Sequence, residues 1–311
     1  MDPDIEQLLP ILEADTATRL HQFQTDVAAV WAARWEMMKG TQGTGPEVSR
    51  QEDLVLPGPG GDVPARLFVP NGPVRGAYLF IHGGGWALGS HQTADPFMRR
   101  IASEADVAVL SVGYRLAPEH PYPAGLDDCM AAAEWLETHA TELGVEDPGA
   151  LLIGGESAGG NLAAAVLLRR RDEHQTPFRA AVLVFGVFTA TLDLPSMKQM
   201  WDRNLVLSGP IMQWFVDSYV PGRDLKHPYI SPLYADLKGM PPALFVVGTL
   251  DHLYSDTIEM ANAWNKAGGR IELREFPGAP HGFTGMPLEA GRTAQAAVVE
   301  YIARAVAAVP A

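Results

Sequence analysis

The sequence predicts an α/β protein built on a mostly parallel, mixed sheet with helices on both faces and a helical cap. Three observations carry this. From residue 77 onward, short continuous apolar runs alternate with stretches of helical periodicity, the pattern of parallel strands buried on both faces. Two further strand-like runs precede them, separated by a Pro/Gly-rich turn, which makes the sheet mixed. One long segment, 187–232, breaks the alternation with helical spacing and no strand.

The elements follow in order. In "LHQFQTDVAAVWAARWEMM", Leu20, Phe23, Val27, Val30, Trp31 and Trp35 recur every three or four residues, so most of residues 1–40 reads as helical. "KGTQGTGPEV" (39–48) has linker composition. "EDLVLPG" (52–58) and "VPARLFVP" (63–70) form a hairpin around "PGPGGD". The remaining strands are expected at 77–82, 107–113, 150–155, 180–186, 243–248 and 270–276. Helices are expected near 93–105, 124–142, 158–173, 255–267 and 288–308. Within 187–232, "NLVLSGPIMQWFVDSYVPG" spaces Ile211, Trp214, Phe215 and Tyr219 as on a helix. That stretch is too long for an ordinary connection and reads as an insertion. Residues 1–45 and 187–230 are therefore assigned to the cap, and 46–186 and 231–311 to the α/β domain that holds the sheet.

Composition narrows the function. A chain of 311 residues with a net charge of −14 and a pI near 5.0 can bury one large core. Its surface repels nucleic acid and anionic membranes. The longest basic run, Arg169-Arg170-Arg171, reads as a solvated helix end. The single cysteine, Cys129, cannot form an internal disulfide and falls in a helical pattern as a small packed residue. The acidic N-terminal stretch lacks the features of a secretory signal. No apolar run is long enough for a membrane span, so a cytoplasmic protein is expected.

In open α/β sheets, ligands bind outside the carboxyl ends of the strands, and three such ends are unusual here. "LLIGGESAGGNLAAAV" (151–166) places Ser157 in a G-x-S-x-G between strand and helix, where a serine sits on a sharp turn. The G-K-[ST] ending and G-x-G-x-x-G spacing of phosphate loops are absent. In "ALFVVGTLDHLYSD" (243–256), Asp251 lies just past a strand end. In "LREFPGAPHGF" (273–283), His281 follows the last strand. A serine hydroxyl needs a base to accept its proton. His281 can serve, with Asp251 fixing its tautomer. His252 adjoins the acid too closely in sequence to face it, and Asp256 reads as a cap or orienter. "HGGGW" (82–86) ends another strand. An acyl-transfer intermediate needs backbone N–H donors aimed at its oxyanion, and Gly83, Gly84 and Ala158 are the expected donors. Gly85 permits the turn, and His82 anchors the loop by a hydrogen bond.

These residues resemble the hormone-sensitive lipase-like family of α/β-hydrolases, which includes many microbial carboxylesterases. The motifs are "HGGGW…GS" (82–90), "YRLAPEHPYPA" (114–124), "GESAGGNLA" (155–163), "SPLYADLKGMPPALFVVGTLDHLYSD" (231–256) and "HGF" (281–283). The resemblance covers roughly residues 50–310. It implies the α/β-hydrolase fold with an eight-stranded mixed sheet, and a cap formed by the N-terminal helices and the insertion. Two departures stand out. His252 follows the acid where proline is usual, and Trp86 follows the glycines where phenylalanine or alanine is common. Trp86 is read either as narrowing the substrate pocket or as buried in its loop, and Trp214 and Phe215 are further substrate-binding candidates from the cap. Arg115 and Glu119 are expected to form an ion pair behind the site.

The resulting expectation is a serine carboxylesterase acting on short- to medium-chain esters through an acyl-enzyme, without cofactor or metal. Its partner is a small-molecule ester, and it is a monomer or a homodimer, the latter formed through the edge strand 270–276. The same triad would also serve an amidase, a lactonase or an arylformamidase. A non-catalytic small-molecule receptor is the alternative of another class.

Overall fold

The computed structural model describes residues 5–13, 44–175 and 178–308. All eight expected strands are present: β1 (Arg50–Gly58), β2 (Gly61–Val69), β3 (Gly76–Ile81), β4 (Val107–Val112), β5 (Leu151–Glu156), β6 (Ala180–Val184), β7 (Ala243–Leu250) and β8 (Ile271–Pro280). They form one sheet in the order β1-β2-β4-β3-β5-β6-β7-β8. β1 and β2 pair antiparallel, as do β2 and β4, and all other neighbours run parallel. The hairpin loop is tighter than its composition suggests. Gly58 pairs with Gly61, so only Pro59 and Gly60 are left to turn.

The apolar runs of the central strands are continuous because each of them feeds two cores. On β3, Ala77, Leu79 and Ile81 face one cluster, and Tyr78 and Phe80 the other. On β5, Leu151 and Ile153 oppose Leu152 in the same way. Side chains on a strand alternate between faces, and here both faces are covered. α2 (Ala124–His139), α3 (Ala158–Asp172) and α6 (Tyr254–Lys266) supply Leu126, Cys129, Leu162, Met260 and Trp264 to the first core. α1 (Asp95–Ala105) and α7 (Glu289–Ala307) supply Met98, Ile101, Val298 and Ile302 to the second. α3 is buried nearly all round, which suits its Ala- and Leu-rich sequence.

The segment 187–232 contains no sheet strand and carries α4 (Pro195–Gln199) and α5 (Gly209–Tyr219). Residues 5–13 are helical, and Glu13 pairs with Arg203 of this segment at 2.9 Å. The expected helical face from Leu20 to Trp35 lies outside the described residues.

Two expectations about charges are corrected. Arg170 is not solvated: it is buried and pairs with Glu137 at 2.5 Å, while Arg169 reaches Asp127 and Glu173. Arg115 pairs with Asp128, which is fully buried, through its Nε and Nη2 and its backbone N–H. Glu119, nearer in sequence, is exposed. The first turns of α2 bring Asp128 under the loop that carries Arg115, a proximity that sequence distance hides.

Candidate active site

Strand register assembles the site. In the β3–β5 pair, Ile81 lies opposite Gly155. Two residues beyond each lie Gly83 and Ser157. In the β7–β8 pair an irregularity shifts the register so that Leu250 lies opposite Pro280. The next residues along these two strands are Asp251 and His281. The polar residues picked out at separate strand ends are thus neighbours at one end of the sheet.

Ser157 sits between β5 and α3 with φ 56° and ψ −119°, a conformation that costs a non-glycine residue energy. Its side chain does not cap the helix. It lies 3.0 Å from His281 Nε2. The flanking glycines are required by packing. A Cβ on Gly155 would stand 2.5 Å from the backbone of Gly159, and one on Gly159 would stand 2.0 Å from the Ile81 carbonyl oxygen. His281 Nδ1 is 2.8 Å from Asp251 Oδ2, and Asp251 Oδ1 accepts the Leu253 N–H at 2.8 Å. Asp251 is fully buried. Because that carboxylate can only accept, Nδ1 carries the proton and Nε2 is left as the acceptor for the Ser157 hydroxyl. The Phe185 ring meets the His281 imidazole at 4.7 Å.

The loop after β3 curls over the serine. A Cβ on Gly83 would meet the Glu156 carbonyl at 2.8 Å and Ser157 Cβ at 3.3 Å, so this backbone lies against the nucleophile turn. Gly84, Gly85 and Trp86 all have positive φ, and the Ala87 N–H closes the turn on the Gly84 carbonyl. Gly85 has a second reason to lack a side chain: its Cβ would fall 2.2 Å from the Phe215 ring. His82 Nδ1 donates to the Gly83 carbonyl at 2.8 Å, and its ring stacks on Tyr114 at 4.3 Å. Burial pushes the His82 pKa down to about 4, so this anchor is neutral.

A cavity of about 800 Å³, open mouth included, lies over Ser157 and His281. Phe215 lines it together with Val206, Leu207 and Met212 from the insertion. Trp86 and Trp214 are not among its described lining residues. Trp86 is buried, stacks on Tyr219 at 4.5 Å with nearly parallel rings, and donates its indole N–H to Asn161 Oδ1 at 3.2 Å. Trp214 is half-buried beside Phe215. His252 Nε2 donates to the carbonyls of Met200 and Arg203, at 2.8 and 2.9 Å. The residue after the acid therefore clips the insertion to the acid's own loop. Asp256 lies in the first turn of α6, but it caps nothing there. Its Oδ1 accepts the N–H groups of Phe188 and Thr189, both at 3.0 Å.

Two residues of the site escaped sequence reasoning. Asn161 is fully buried. Besides the Trp86 bond, its Nδ2 donates to the carbonyls of Val187 and Ile230, at 2.8 and 2.9 Å. One amide thus ties both ends of the insertion to the glycine loop. Glu156 lines the cavity, and its Oε1 accepts the Thr284 hydroxyl at 3.1 Å. Both belong to "GESAGGN", yet nothing in that string distinguishes them from turn-forming residues.

With this sheet and a serine on the strand-to-helix turn, the chain belongs to the α/β-hydrolase family, whose model, described as "alpha/beta hydrolase fold", matches residues 78–285. Within that family it is one of the hormone-sensitive lipase-like esterases. It is 36% identical to the carboxylesterase NlhH of Mycobacterium tuberculosis over 306 residues, covering 94% of this chain and 93% of that one. The structure of a hyperthermophilic esterase from Pyrobaculum calidifontis superposes with a TM-score of 0.87 at 32% identity, over 99% of this chain and 100% of that one. The thermostable carboxylesterase EstE1, cloned from a metagenomic library, gives 0.86 at 31%, over 91% and 97%. The protein is a serine carboxylesterase, and its relatives do not favour the amidase, lactonase, arylformamidase or receptor readings. No helix among the described residues is long and apolar enough to cross a membrane.

Proposed function

We propose that Ser157, His281 and Asp251 form the catalytic triad of this esterase, and that its substrates are short- to medium-chain esters. The observation that carries the reading is that His281 accepts from the Ser157 hydroxyl at 3.0 Å and donates to Asp251 at 2.8 Å. In this reading, Ser157 Oγ attacks the ester carbonyl as its proton passes to His281 Nε2. The imidazolium is stabilised by Asp251 and then protonates the leaving alcohol. Water, deprotonated by the same imidazole, releases the acid from the acyl-enzyme. The N–H groups of Gly83, Gly84 and Ala158 receive the oxyanion, a role supported by the approach of Gly83 to the serine turn and by the start of α3 at Ala158.

Residues 1–45 and 187–230 act as the cap in this proposal. The Glu13–Arg203 pair and the apolar wall around Phe215 support it. A limited cavity closed by that wall suits modest acyl chains rather than long ones. A cytoplasmic location is supported by the single, buried thiol of Cys129. The monomer-or-homodimer expectation keeps β8 as its candidate contact, since that strand lies at the sheet edge.

Ser157→Ala is expected to lower kcat for a 4-nitrophenyl ester by roughly four to six orders of magnitude and to abolish labelling by an organophosphonate. Hydrolysis at the parent rate by this variant would overturn the assignment.

A further inference from the structure

Glu156 is a carboxylate inside an esterase cavity that has no use for it in the acyl-transfer steps. The wall around it is largely apolar, and no lysine or arginine occurs among the described lining residues. Thr284 bonds one oxygen, Oε1, and no hydrogen bond to Oε2 is present among the described residues. A carboxylate in an apolar cavity without a cationic side chain is complementary to a ligand that carries a positive charge and donates a hydrogen bond. Burial raises the Glu156 pKa, while the Thr284 bond and the charge of His281 act the other way. A bound cation would hold the carboxylate ionised. The rings of Phe80, Phe185 and Phe215 line the same space, and the face of an aromatic ring attracts a cation.

We propose that Glu156 is a specificity-determining residue, and that the enzyme prefers esters carrying a protonated amine a few bonds from the ester group. This rests on the esterase reading of the Ser157 site and adds the charge of its substrate.

The test uses matched pairs that differ by one ammonium. 2-(Dimethylamino)ethyl butyrate is compared with 3-methylbutyl butyrate, placing the charge on the alcohol side. Ethyl 4-(dimethylamino)butyrate is compared with ethyl 5-methylhexanoate, placing it on the acyl side. Each kcat/KM is taken relative to that ester's alkaline hydrolysis rate. In at least one pair the parent enzyme is expected to favour the cation, and Glu156→Gln to reduce the cationic-to-neutral ratio by about tenfold, the scale of one charge-assisted hydrogen bond. The amide keeps an acceptor for Thr284, and Glu156→Asp, which keeps the charge, is expected to retain the preference. A ratio within about twofold of the parent's in both pairs, or an equal loss on cationic and neutral esters, would overturn the inference. If Glu156→Gln does not fold, the parent decides: absence of any cation preference at 0.5 M salt overturns it. Turnover of the neutral esters with an unaltered ratio sinks this inference alone. Failure to hydrolyse any of the four, with no phosphonate labelling, sinks the esterase reading as well.

Discussion

An indole held by Asn161 on its N–H and by Tyr219 on its face braces the backbone of the glycine loop. Trp86 follows the glycines assigned to the oxyanion and itself has φ 58°, a strained value for a bulky residue. The stacked, hydrogen-bonded ring supplies the packing that holds this turn. Trp86→Phe keeps an aromatic ring but orphans Asn161 Oδ1, a buried acceptor, at a cost of about 1–3 kcal/mol. The variant is expected to melt at lower temperature and to lose kcat, while KM for a series of acyl chain lengths moves by less than about twofold. A chain-length-dependent change in KM beyond about tenfold would place Trp86 in the substrate pocket instead. The motif strings made Ser157, Asp251 and His281 readable, because each stands at a strand end within a recognisable pattern. Asn161 and Glu156 were not readable. An amide and a carboxylate near a turn have many local uses, and their partners lie far along the chain, at Ile230 and Thr284. Arg115 misled for the same reason, its partner being 13 residues away rather than four.

Elements were easier to read than pairings. Apolar runs located the central strands β3 to β7, since burial on both faces leaves one signal. The shift that sets Leu250 opposite Pro280 has no such signal, and it is what delivers the acid to the base. The join between α6 and the segment after β6 was likewise hidden. There Asp256 reaches out of its own helix to hold the backbone of Phe188 and Thr189. Burial pushes its pKa up from 3.8 to about 8, against the pull of those two N–H groups. Between these values the folded state binds a proton that the unfolded state has released, so stability from this group falls as pH rises through that window. Asp256→Asn preserves the acceptor and removes the titration. Across pH 5 to 8, the parent's Tm relative to the variant's is therefore expected to decline, as scanning calorimetry can follow. Parallel Tm curves would mean that Asp256 does not titrate there.

At the scale of the whole molecule two electrostatic sources act on a charged substrate, and salt separates them. The net charge of −14 is spread over a surface bathed in counter-ions, and its field decays over a Debye length of about 10 Å at 0.1 M ionic strength. That field draws any cation and repels any anion wherever on the substrate the charge sits. The carboxylate of Glu156 lies within a cavity lined mainly by apolar side chains, where few ions penetrate and screening is weak. Raising salt from about 0.01 to 0.5 M is therefore expected to erode, in parent and Glu156→Gln alike, the discrimination against an anionic ester such as a succinate monoester. The cation preference tied to Glu156 should largely survive that change. If the cationic-to-neutral ratio of the parent instead collapses at high salt to the value of the variant, the surface field alone selects the cation, and the cavity carboxylate contributes nothing to specificity.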